Sequence, residues 1–210
     1  MGSKIKVLHV SWEYPPRIVG EIAHCAKFLA ENLSREPVDV YVVTFNDWMV
    51  GFAREGGVGI WRINNPVRTH MNIITWVITL TQGFLSKIVD LYRQEGGIDL
   101  IHAHEWHAVP AAVVMKHSLD LPFVYTVYST ENLRSGYSDT ALNLAIKRIE
   151  WEGQYEAVKV LVQNEAVRAD VMSTYNTPEE KIELIQPTYD ERWVREVMRV
   201  YESALGGGPR

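Results

Sequence analysis

Cys25 is the single cysteine among 210 residues. Its isolation excludes an internal disulfide framework and suits a reducing compartment, so a cytoplasmic setting is expected. Positive charge is not in excess either: 21 Lys and Arg stand against 26 Asp and Glu, a net charge of −5. That balance gives no electrostatic footprint for nucleic acid or an anionic membrane. The longest apolar run, Ile73 to Phe84, is broken by threonines and Gln82. It falls short of the ~20 residues a membrane span requires. No cationic stretch followed by a small-residue cleavage site opens the chain, so no signal peptide is expected. No zinc-type spacing is present, since His104 and His107 lie three apart without a second ligand cluster. Neither a metal nor a cofactor is expected.

What is present is an ordinary globular composition, 47% hydrophobic and 22% charged, in which short β-rich runs alternate with longer helical patterns. The spacing predicts strands over 4–11, 38–44, 59–63, 100–103, 123–128, 159–163 and 182–185. It predicts helices over 21–34, 73–94, 108–118, 139–157, 165–175 and 191–205. Runs such as Val40-Tyr41-Val42-Val43 are typical of strands covered on both faces. The fold class expected is α/β: a single Rossmann-like domain with a mainly parallel twisted sheet and helices on both faces. That domain spans 4–189. Residues 190–205 read as an amphipathic helix packed on it, with Val194, Val197, Met198, Tyr201 and Leu205 in one stripe. Residues 1–3 and 206–210 read as ends outside the fold. Thr177-Pro178-Glu179-Glu180 reads as a helix cap with proline in the first turn.

A parallel sheet of this type places ligand-binding loops at the carboxyl ends of its strands. Four loops there are chemically dense. In the first, Trp12-Glu13-Tyr14-Pro15-Pro16 leads to Gly20, which either lets the backbone approach a ligand at a helix N-terminus or makes a simple turn. Glu21 follows, favourable to the helix dipole but repulsive to a phosphate. The second, His102-Ala103-His104-Glu105-Trp106-His107, has three readings: a metal site, core residues with His102 satisfied by backbone, or a His107 ring hydrogen-bonding a sugar hydroxyl. The third, Tyr128-Ser129-Thr130-Glu131-Asn132, suits either a sugar or a helix cap. In the fourth, Asn164 caps the following helix.

The order of these segments resembles the N-terminal domain of retaining GT-B glycosyltransferases, in the glycogen and starch synthase group. Trp12-Glu13-Tyr14-Pro15-Pro16, His102-Ala103-His104-Glu105-Trp106-His107, Thr126-Val127-Tyr128, Pro178-Glu179-Glu180-Lys181-Ile182 and Ile185-Gln186-Pro187-Thr188-Tyr189-Asp190 match the family's pattern from about Lys4 to Asp190. The resemblance implies transfer of a sugar from a nucleotide-sugar to a carbohydrate acceptor, with retention at the anomeric carbon. It implies that this lobe binds acceptor and part of the donor sugar, while a C-terminal domain, missing from this chain, grips the nucleotide. Donor-sugar or acceptor contacts are then expected at Gly20, Glu21, His107, Tyr128, Ser129 and Glu131. No complete catalytic set is expected here, and the isolated lobe should be inactive.

The departures fall where ligands would approach. Glu21 replaces the family's second glycine, and Tyr128 replaces the histidine of Thr-Val-His. Gln186-Pro187-Thr188-Tyr189-Asp190 replaces Pro-Asn-Gly-Val-Asp. They leave open an engineered or repurposed scaffold whose exposed cleft mediates protein contacts or self-association, with Trp48, Met49, Phe52, Trp61 and Trp76 as anchors. A new active site using Glu21 as a base beside Tyr128 or His107 is a third reading.

Overall fold

A computed structural model describes residues 4–206. The strands are β1 (Ile5–Ser11), β2 (Val38–Phe45), β3 (Gly51–Glu55), β4 (Val58–Ile63), β5 (Leu100–His104), β6 (Phe123–Val127), β7 (Lys159–Val162) and β8 (Ile182–Leu184). They form one sheet in the order β3-β4-β2-β1-β5-β6-β7-β8. Every pairing is parallel except β3 with β4. The helices are α1 (Glu21–Leu33), α2 (Ile73–Gln94), α3 (Val109–Leu119), α4 (Glu131–Ser135), α5 (Ala141–Glu156), α6 (Glu165–Tyr175) and α7 (Glu191–Ala204). The α/β class is as the alternating pattern implies.

Strand alternation sorts the core into two layers. Val40 and Val42 face a cluster with Cys25 and Leu29 of α1 and with Trp193, Val197 and Tyr201 of α7. Tyr41 and Val43 face the opposite cluster, with Phe84 and Ile88 of α2 and Met115 of α3. Helix α7 therefore closes one face of the sheet. Asp190 caps it, accepting from the Arg192 and Trp193 amides, and its apolar stripe packs beside α1 and against β6 on the same face.

Several expectations are corrected. The edge strand β3 and the short helix α4 carry no clear periodicity and were not anticipated; β3 is held by antiparallel pairing with β4, and α4 by the Thr130 cap. The segment after Thr177 is a single 3₁₀ turn over Glu179–Lys181, because the Thr177 hydroxyl turns away to donate to Gln154 Oε1 at 2.7 Å. Helix α2 is long and apolar enough, by length and composition, to cross a membrane. Its pattern continues well past Phe84, and threonines barely lower its hydropathy. It lies against the sheet with Val77, Leu80, Phe84, Ile88 and Leu91 buried. Residues 1–3 and 207–210 lie outside the described residues, while Gly206 follows α7 in a turn with φ +81°.

Candidate functional site: the carboxyl-end cleft

At the end of β1 the chain turns through Trp12 and Glu13. Glu13 is buried, and its carboxylate accepts from the amides of Val19 at 2.6 Å and Gly20 at 2.8 Å. The loop leading into α1 thus already holds an anion from within the chain on two of its amides, next to the helix N-terminus. Glu21 hydrogen-bonds the Tyr189 hydroxyl, which also lies 3.2 Å from Cys25 Sγ. The Tyr189 ring packs edge-on against Phe28 and Trp193, and its backbone adopts φ +53°. The segment replacing the family's glycine hinge is therefore pinned to the start of α1.

His107 follows β5 in a 3₁₀ turn over Trp106–Ala108. Its ring stacks on Trp12, centroids 4.4 Å apart, and on Trp106 at 4.1 Å. Burial, with smaller contributions from Arg134 and Arg17, lowers its pKa to about 3, so the imidazole is neutral near pH 7. Its Nδ1 is buried without a hydrogen-bond partner. Trp76 meets His107 edge-on at 6.4 Å and Phe45 edge-on at 5.0 Å. Arg17 lies over the Trp12 and Phe45 rings, 5.1 and 4.7 Å from their centroids.

Glu105 has the backbone conformation φ +63°, ψ 167°, a region that costs a non-glycine residue ~1–3 kcal/mol. What holds it there is its carboxylate, which accepts from the amides of Tyr128 at 2.8 Å and Ser129 at 3.0 Å. One side chain thereby ties the β5 loop to the β6 loop. Burial raises its pKa to about 7, against the opposing pull of Arg134. Arg134 also pairs with Glu131 and Glu150 and donates to the Ser129 carbonyl at 2.7 Å. Glu131 is buried in this cluster, and Thr130 caps α4.

Tyr128 points its hydroxyl inward, 2.8 Å from His104 Nδ1. From there a continuous chain crosses the sheet: His104 Nε2 to His9 Nδ1 at 2.9 Å, His9 Nε2 to the Tyr201 hydroxyl at 3.4 Å, that hydroxyl to His102 Nδ1 at 2.7 Å, and His102 Nε2 to Thr126 Oγ1 at 2.7 Å. His102 is satisfied by side chains, not by backbone as expected, because its ring lies in the polar seam between the sheet and α7. His9, His102 and His104 bring ligand atoms within 4.8 Å of one another, the donor set of a metal site. In this arrangement all six ring nitrogens are engaged. A neutral imidazole donates once and accepts once, so the whole chain is satisfied in either of two directions. Burial holds all three histidines well below their usual range.

The anticipated residues thus fall into separate surroundings. Gly20 and Glu21 lie at the capped start of α1, His107 between tryptophans, Tyr128 at the end of the histidine chain, and Ser129 and Glu131 around Arg134. Sequence alone gave no role to His9, Glu13, Arg17 or Arg134. The period-two pair His102 and His104 hinted at one polar face of β5. That His9 stands opposite follows only from the β1–β5 register, His9↔His102 and Ser11↔His104.

A mainly parallel sheet with its polar loops gathered at the carboxyl ends of the strands defines a Rossmann-like α/β domain. The family model described as Glycosyltransferase Family 4 matches residues 22–193. The chain belongs to that family. It is 34% identical over 187 residues to an uncharacterised glycosyltransferase of Methanocaldococcus jannaschii, covering 86% of this chain and 45% of the relative. It is 24% identical over 161 residues to a glycogen synthase of Mycobacterium tuberculosis, covering 70% of this chain and 39% of the relative. The chain therefore spans less than half the length of these relatives. Among solved structures, a sucrose-phosphate synthase from Thermosynechococcus elongatus superposes with a TM-score of 0.71 at 13% identity, over 87% of this chain and 48% of that one. The catalytic domain of starch synthase IV from Arabidopsis thaliana, solved with ADP and acarbose, superposes at 0.64 with 14% identity, over 88% of this chain and 52% of that one. Those two similarities concern the fold.

Proposed function

We propose that this chain is the acceptor-side lobe of a retaining, glycogen synthase-like transferase that moves a sugar from a nucleotide-sugar to a carbohydrate acceptor. The observation behind this reading is His107: a neutral imidazole stacked between Trp12 and Trp106, its Nδ1 unbonded, at the carboxyl end of a family fold. Such a ring can donate to or accept from a hydroxyl without a charge to compensate. The ADP and acarbose bound to the starch synthase structure fit the same substrate classes. Gly20 and Glu21 serve poorly as phosphate contacts, since Glu13 occupies the nearby amides, so the diphosphate is assigned to a second lobe. Without stabilisation of that leaving group, transfer loses the largest part of its rate. Incubated with ADP-glucose or UDP-glucose and maltotriose, the 210-residue chain should release no nucleotide above a buffer control. Saccharide-dependent NMR shifts at His107 test acceptor binding independently, and their absence at tens of millimolar maltotriose counts against it.

Self-association is the second reading, favoured by one feature. Trp48, Met49, Val50 and Phe52 are 62%, 46%, 61% and 56% exposed, around the open edge strand β3. An exposed apolar edge is a template for pairing with a second chain, whereas Trp61 and Trp76 are half-buried and belong to the fold. Light scattering over a hundredfold concentration range separates the two: a constant monomer mass eliminates pairing through β3.

A further inference from the structure

Three buried histidines beneath the cleft take no part in the transfer proposed above. His102 and His104 share one face of β5, and the parallel β1–β5 register sets His9 opposite His102. The His9 and His104 ring centroids lie 5.1 Å apart at 22°, and those of His102 and His104 lie 4.2 Å apart at 23°. All three side chains are fully buried. One ligand nitrogen from each ring lies within 4.8 Å of the others. Along the chain, His104 and His107 give no metal spacing, because the imidazole facing His104 comes from a different strand, 95 positions away.

A ligating imidazole offers one nitrogen to the ion and donates from the other to an oxygen that fixes its orientation. That outer set of oxygens is present. His104 Nδ1 faces the Tyr128 hydroxyl at 2.8 Å, His102 Nε2 faces Thr126 Oγ1 at 2.7 Å, and His9 Nε2 faces the Tyr201 hydroxyl at 3.4 Å. The other three nitrogens, His104 Nε2, His9 Nδ1 and His102 Nδ1, remain for an ion. His104 Nε2 and His9 Nδ1 are 2.9 Å apart and share one proton. Moving that proton to His104 Nδ1, with the Tyr128 hydroxyl turning to accept it, frees both lone pairs and leaves every ring neutral.

Imidazole ligands select zinc-type ions over calcium or magnesium, which prefer oxygen. Zinc holds imidazole nitrogens at ~2.0–2.1 Å, which sets tetrahedral ligand atoms ~3.3 Å apart. The His9–His104 pair must therefore open by only a few tenths of an ångström. A buried divalent ion also requires a negative partner. The Tyr201 hydroxyl, 2.7 Å from His102 Nδ1, supplies one by releasing its proton to solvent.

We propose that His9, His102 and His104, completed by the Tyr201 oxygen, form a structural site for one zinc-type divalent cation that ties α7 to β1 and β5. Binding makes four ligand bonds and expels one proton, from Tyr201. The proposal does not depend on the transferase reading.

Because the site is buried, the test refolds the full 210-residue chain from urea after chelation, with and without Zn²⁺, and then removes free metal by desalting. Elemental analysis should find about one zinc per chain. The melting temperature should exceed that of the metal-free chain by at least ~5 °C when zinc is ~100-fold above its Kd. His9→Asn and His104→Gln keep an amide in place of the ligating nitrogen and should each reduce bound zinc to about a tenth or less. The exposed pair His24→Ala and His117→Ala should leave zinc unchanged. Far-UV circular dichroism checks that each variant folds. Tyr201→Phe keeps all three imidazoles, so it serves if the histidine variants do not fold, and it should bind zinc at least about tenfold more weakly. Equal affinity in Tyr201→Phe overturns the four-ligand site. Zinc that is lost on desalting, or that disappears with His24 and His117, is an adventitious ion only and overturns the proposal. An unchanged melting temperature with zinc leaves the histidines as a hydrogen-bonded chain alone and overturns it as well.

Discussion

At the scale of single residues, side chains at the rim of the sheet spend their polarity on one another. Glu105 is an acid in a strained backbone position whose carboxylate does the work of a glycine turn by binding two amides of the next loop. Its folded pKa of about 7 lies above the unfolded value near 4.5, so its contribution to stability is complete below pH 4.5 and is lost as pH rises through 7. The slope is on the order of 1.4 kcal/mol per pH unit in that window. Glu105→Gln should remove this decline, and urea titrations of both proteins at pH 5 and pH 8 measure it. Tyr201 is the second such residue, its hydroxyl bridging His102 and His9. Tyr201→Phe leaves two buried ring nitrogens unpaired and should cost ~1–3 kcal/mol. A loss below ~0.5 kcal/mol in chemical denaturation would show that the bridge contributes nothing.

At the scale of elements, α7 and α5 are the most informative. The stripe read in the sequence, Val194, Val197, Met198, Tyr201 and Leu205, overlaps the face that α7 buries, Trp193, Val194, Val197, Val200 and Tyr201, while Met198 and Leu205 are only partly buried. Trp193→Ala should cost ~3–5 kcal/mol, seen as a drop in the urea midpoint. If the helix were a loosely attached tail, the midpoint would not move. In α5, Gly153 has no turn to make. A Cβ there would meet Val109 Cγ2 at 2.6 Å and Tyr125 Cε1 at 3.0 Å, so α3, α5 and β6 pack too closely for a methyl. Helix propensity alone says Gly153→Ala should gain ~1 kcal/mol, while overpacking costs ~1–3 kcal/mol. A lowered melting temperature is expected, and a raised one rejects the packing argument. β3 was illegible for a different reason: its burial does not alternate apolar against polar, and its partner β4 decides its existence.

At the scale of the molecule, buried titrating groups set a pH profile. His9, His102, His104 and His107 are all depressed below 6.5 in the fold by burial. Their contributions are present above the unfolded value and are lost as pH falls through it toward the folded values. Glu105 and Glu150, raised by burial, act in the opposite sense above pH 4.5. Between 4.5 and 6.5 four histidines oppose two glutamates, so stability rises with pH. Above 6.5 only the carboxylates' decline remains. Melting temperatures from pH 4 to 9 should therefore peak near pH 6.5–7, with the steeper fall on the acid side. A flat acid limb down to pH 4.5 contradicts the neutral-histidine network.

The sequence by itself determined the α/β class, the strand and helix succession apart from β3 and α4, the family and the loops that meet at the carboxyl end. Those follow from local periodicity, caps and the order of motifs, all properties of neighbouring residues. Only the tertiary structure decided what the loops do there. The pairing of β1 with β5 set His9 against His102 and His104, the packing of α7 brought Tyr201 between them, and the fold of the first loop placed Glu13 on the Val19 and Gly20 amides just before α1. Those contacts join residues up to 192 positions apart, and no local pattern encodes which distant partner a buried polar group will find.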